Sequence, residues 1–182
     1  MSREFNLNAL QTFQQNITTA GTVENVNAKI RATTIAFVEN SPLADTITDS
    51  GSAFLTSGFR PGDIITVSGS TSNDGTYTID TVTAGTITLL LNGANDLTTE
   101  GAAATVRIVA PKNVPDGISV VIKAKSGNTG NIYLSDISTG ATSTAGYVLA
   151  ANQNVGMQVR KTNLIFIDAQ TSGEGVEVIF ER

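Results

Sequence analysis

The chain has 182 residues, with neither cysteine nor histidine, and sets 11 Lys and Arg against 16 Asp and Glu for a formal net charge of −5. The missing residue types exclude disulfides, thiolate metal sites, Cys nucleophiles and any catalytic arrangement that turns on an imidazole. The acidic balance argues against nucleic acid or an anionic membrane surface as partner.

Residues 1–30 are rich in Asn, Gln and Thr and lack strand alternation. Leu7, Leu10, Phe13 and Ile17 fall at helical spacing and predict a short amphipathic helix. A lone helix of this length is marginal in water, so it needs a surface to dock on, in its own domain or on a neighbouring subunit. We read the segment as an N-terminal arm with those four residues as partner-binding anchors. It has no basic-then-apolar run ending in a cleavage site, so no signal peptide is expected.

Residues 31–111 read as a small β-barrel or sandwich. Strands are predicted at 33–38, 46–48, 63–68, 76–82, 86–91 and 104–109, separated by segments dense in turn formers. The segment Ser72-Asn73-Asp74-Gly75 ends in Asp-Gly, a strong hairpin signal, and 76–82 alternates strictly. Two prolines, Pro111 and Pro115, then mark a stiff linker over 111–117.

Residues 112–182 read as a compact antiparallel β-sandwich. Strands are predicted at 118–124, 131–135, 147–149, 157–159, 164–167 and 175–180. The last is apolar and open at its edge, so it should pair inside this region or across a subunit contact. No apolar run is long enough to span a bilayer. The expected fold class is all-β: a small barrel, a sandwich and an N-terminal arm.

The chain holds no Ser-x-x-Lys, no phosphate-cradling Gly-x-x-x-x-Gly-Lys and no Gly-x-Gly-x-x-Gly. Paired carboxylates remain, but few aromatics and no Trp are present to line a sugar cleft. We therefore expect no enzyme and no cofactor. Asn73-Asp74-Gly75 and 92–96 offer oxygens for calcium, yet neither has calcium-loop spacing, and turn chemistry explains both. The basic pairs Lys123/Lys125 and Arg160/Lys161 read as solvated strand faces. Tyr77, Tyr133 and Tyr147 read as packing residues on half-buried strands, with sugar or peptide recognition as the alternative.

Two stretches resemble recurrent pieces of tailed-bacteriophage virion proteins. One runs Asn128-Thr129-Gly130-Asn131-Ile132-Tyr133-Leu134-Ser135, then Gly146-Tyr147-Val148-Leu149 and Gln153, then Leu164-Ile165-Phe166-Ile167-Asp168-Ala169 with Thr171-Ser172-Gly173. It is similar to small β domains of phage capsid and tail proteins. The other, Phe59-Arg60-Pro61-Gly62-Asp63-Ile64-Ile65-Thr66-Val67-Ser68-Gly69 leading into Asn73-Asp74-Gly75-Thr76-Tyr77-Thr78-Ile79, is similar to barrel-like virion modules. The resemblance carries no catalytic positions and implies an assembly role. The expected function is a capsid decoration (cement) protein, a homotrimer bound to the major capsid protein on the outer virion surface. A tail, neck or baseplate component is the first alternative, and a carbohydrate-binding adhesin module the second.

Overall fold

The computed structural model describes residues 10–91 and 97–181. Their strands, in chain order, are β1 (Leu10–Asn16), β2 (Glu24–Asn25), β3 (Ala28–Ala32), β4 (Ile35–Val38), β5 (Thr46–Asp49), β6 (Ile64–Ser68), β7 (Gly75–Val82) and β8 (Thr86–Leu89). There follow β9 (Val106–Ala110), β10 (Val120–Ala124), β11 (Ile132–Ser135), β12 (Tyr147–Leu149), β13 (Asn154–Met157), β14 (Phe166–Ala169) and β15 (Gly175–Glu181). A 3-10 turn, Thr162–Leu164, precedes β14. The protein is all-β and sandwich-like, as its turn spacing predicts.

The chain divides into two compact units: Ala28–Pro111 is inserted into a discontinuous unit made of the residues before and after it. In the discontinuous unit one sheet runs β1-β15-β10-β13 and the other β12-β11-β14-β2, with every pairing antiparallel. Apart from the β11–β12 hairpin, successive strands of this unit alternate between the sheets. That order is the eight-stranded jelly roll, two Greek keys folded face to face. One core joins both sheets: Phe13, Val176, Val178, Phe180, Ile122 and Ala124 from the first, and Ile132, Leu134, Leu149, Ile167 and Ala169 from the second.

The N-terminal segment departs from the predicted helical arm. Residues 10–16 form β1, paired along its whole length with β15, from Leu10 opposite Glu181 to Asn16 opposite Gly175. Its inward residues are Gln11, Phe13 and Gln15. Glutamines on the buried face hide the period-two pattern and leave Leu10 and Phe13 at an accidental spacing of three. Gln15 is accommodated because its Nε2 donates to the Asn25 carbonyl at 2.9 Å and its Oε1 accepts from the Asn27 N–H at 3.0 Å. The terminal strand β15 thus pairs with β1 on one side and β10 on the other.

The inserted unit is one antiparallel sheet in the order β3-β9-β6-β7-β8-β5-β4. Each strand turns alternate residues into one core: Ile30, Ile108, Val67, Ile79, Leu89, Ile47 and Phe37 all belong to it. The predicted barrel is corrected to an open sheet, since no ladder among the described residues joins β3 to β4. The physical reason lies at β4, whose free edge is occupied by another segment. Phe37 N–H donates to Glu100 O and Glu100 N–H to Phe37 O, both at 2.9 Å. Gly69 is required where β6 ends: its φ is +84°, and an added Cβ would lie 2.6 Å from the Thr105 carbonyl oxygen.

The predicted linker is pinned as well as proline-stiffened. Val114 is buried and its N–H donates to Arg160 O, while Thr162 N–H donates to Lys112 O.

Candidate functional site

Of the four predicted anchors, Leu7 lies outside the described residues. Leu10 is on the outward face of β1 and 52% exposed. Phe13 and Ile17 are buried in the jelly-roll core, so in this fold they hold the chain's own unit together and are closed to a partner. Of the three anchors among the described residues, Leu10 alone is exposed.

The residues that carry the resemblance do come together, as a set of braces. Glu174, just before β15, is 8% exposed, and its Oε1 accepts from the Thr129 N–H, the Thr129 hydroxyl and the Gly130 N–H. Burial pushes this carboxyl up, but the hydrogen bonds from Gly130 and Thr129 outweigh it and hold the group below its ordinary range. The Asn128 amide donates to Gly175 O at 2.9 Å and accepts from Gly175 N–H at 3.2 Å. Gly175 must be glycine, because a Cβ there would meet Gln15 O at 2.1 Å. Asp168 accepts from Gly21 N–H and Ser172 Oγ from Ala20 N–H. Loop 126–131, the β14–β15 turn and segment 18–22 are thereby tied to one end of the jelly roll.

The second resembling stretch works in the same way inside the inserted unit. Arg60 N–H donates to Asp63 Oδ2 at 2.7 Å. Asn73 grips Thr98 from both sides of its amide, and the Glu100 carboxylate accepts from Thr71 and Ser72 N–H and from Asn73 Nδ2. Asp74 Oδ1 accepts from both the N–H and the hydroxyl of Ser70. Asn73 and Asp74 are thus used up in turn bonding, while 92–96 lies outside the described residues. No group of three or more acidic side chains among the described residues is placed to hold a metal ion. Tyr77 and Tyr133 are buried, and the Tyr77 hydroxyl donates to Asn73 O; Tyr147 is 59% exposed on β12.

The charged groups divide sharply. Lys123 pairs with Glu177 at 3.0 Å, Lys125 donates to Asn16 Oδ1 at 2.6 Å, and Arg160 lies 3.9 Å from Asp116. Arg31 and Arg107, by contrast, stand directly opposite each other on the outward face of β3 and β9 with no ion pair among the described residues, and Lys29 lies on the same face. Burial, with Arg107 adding to it, lowers the Lys29 ammonium to about 8. Sequence reading missed this group, because only the β3–β9 register brings Arg107 to the other two.

No protein-family model, curated protein or solved structure matches the chain.

Proposed function

We propose that the chain is a non-enzymatic structural protein of a tailed-bacteriophage virion, and specifically a capsid decoration protein. The observation that carries this reading is the jelly roll with a second β unit inserted between β2 and β10. Jelly rolls recur in viral capsid domains, and also in lectins. Residues resembling virion proteins support it further, since Asn128, Thr129, Gly130 and Asp168 among them brace loops. In this reading the chain binds the assembled head as a homotrimer, on the outer surface, and stabilises the shell by mass action because it binds the lattice better than free subunits.

The test is to add the purified chain to heads of the same phage lacking it and to measure saturation and the temperature of shell disruption. Saturable binding with a raised disruption temperature is expected. No binding to heads, with binding to tails or baseplates instead, would replace decoration by the tail reading. The exposed Tyr147 and the jelly roll, which lectins also use, are the footholds of the adhesin reading, and a glycan array without signal removes it.

A further inference from the structure

Strand β3 buries Ala28 and Ile30 and turns Lys29 and Arg31 outward; β9 buries Val106 and Ile108 and turns Arg107 outward between them. The ladder sets Arg31 opposite Arg107, and Ser68 of β6 flanks Arg107 on the other side. Strands β3, β6 and β9 contain no Asp or Glu. Among the described residues neither arginine forms an ion pair, whereas Lys123 and Arg160 each face a carboxylate. Like charges directly opposite on a sheet are destabilising, so Arg31 and Arg107 oppose the fold that carries them.

One mundane account is that cations on an edge strand block edge-to-edge aggregation. It covers Lys29 and Arg31, since β3 is the last strand of its sheet. It leaves Arg107 unexplained, because β9 is paired on both sides, by β3 and by β6. A pair held against its own repulsion, beside a row of hydroxyls, fits a site whose counter-charge arrives from outside.

We propose that the Arg31–Arg107–Ser68 end of the outward face of β3, β9 and β6 is a docking surface for a carboxylate-bearing patch on a partner protein. Guanidinium groups pair with carboxylates in a two-pronged geometry that an ammonium lacks, and the Thr66 and Ser68 hydroxyls beside them supply further hydrogen bonds. A protein partner is favoured over nucleic acid by the extent of the site. Polyanion binders neutralise a run of phosphates, but here two facing arginines sit in a unit whose sequence holds four Lys and Arg (Lys29, Arg31, Arg60, Arg107) against eight Asp and Glu. This surface does not depend on the virion reading, and it would serve any acidic partner.

The test uses the full chain with poly-L-glutamate as probe and a single-stranded oligonucleotide of matched charge in parallel. Wild-type protein should bind polyglutamate at low salt, release it at high salt and prefer it to the oligonucleotide. Replacing both arginines, Arg31→Glu with Arg107→Glu, keeps two like charges opposite each other and so leaves folding little changed. It should weaken polyglutamate binding at least about tenfold, the loss of about two exposed ion pairs and their reversal. Arg160→Glu, on the other unit, should leave it unchanged. A second readout separates function from structure: Arg31→Thr should raise the thermal midpoint while weakening binding. Absence of wild-type binding, equal binding by the double variant, preference for the oligonucleotide, or a lowered midpoint for Arg31→Thr would each overturn the proposal.

Discussion

Glu174 shows how a single side chain organises one end of the jelly roll. Three donors converge on one of its oxygens, from a loop more than forty residues away in sequence. Its carboxyl lies below the ordinary value of 4.5, so the unfolded chain binds the proton more readily than the folded one. The stabilisation is therefore fully present above that value and is lost as pH falls through the folded pKa. We expect Glu174→Gln to destabilise the protein by about 1.5–3 kcal/mol at neutral pH, the scale of hydrogen bonds to a charged acceptor. Urea unfolding followed into the acid range should also show a shallower loss of stability for the variant. An acid limb identical to wild type would contradict this role. The sequence made Asn128, Thr129 and Gly130 visible as a loop, because small polar residues and glycine cannot be mistaken for a strand interior. It did not reveal Glu174 as their partner, since nothing local links the two.

At the scale of elements, legibility followed punctuation. Strands β6, β7 and β8 stand between turns dense in Gly, Pro, Asn and Asp, and β7 alternates buried Tyr77 and Ile79 with outward polar residues. Strand β12 was likewise bounded correctly, at Tyr147–Leu149. Strand β1 was misread because its buried face carries two glutamines, which a hydrophobicity pattern counts as surface. Strand β3 was lost inside the same polar segment, its inward Ala28 and Ile30 too short a pattern to register. The β1 assignment makes a sharp prediction. Phe13→Ala should cost about 3 kcal/mol, as for a large side chain removed from a core. Leu10→Ala, on the outward face, should change stability by less than about 0.5 kcal/mol. Comparable losses at both positions in denaturant unfolding would favour the helix over the strand.

For the whole molecule, the decisive pairings are long-range. β1 joins β15 and β2 joins β14, so segments on either side of the insertion in sequence build one jelly roll. Ala28 stands opposite Ala110, so the inserted unit enters and leaves through neighbouring strands, an arrangement in which a module can be accommodated without disturbing its host. Composition and turn spacing were enough to identify an all-β chain, but the sheet order depends on contacts that no local pattern encodes. The basic face of the insertion was hidden for the same reason. A fold hosts many functions, so the jelly roll does not by itself fix a role, and the proposed assembly role needs a test of its own. The most direct measurement is the copy number of the chain in purified phage particles, by quantitative mass spectrometry against the major capsid protein. A count comparable to that of the capsid protein is the result expected of a decoration protein. A count at a small multiple of the tail symmetry would contradict decoration, and absence from the particles would contradict a virion role altogether.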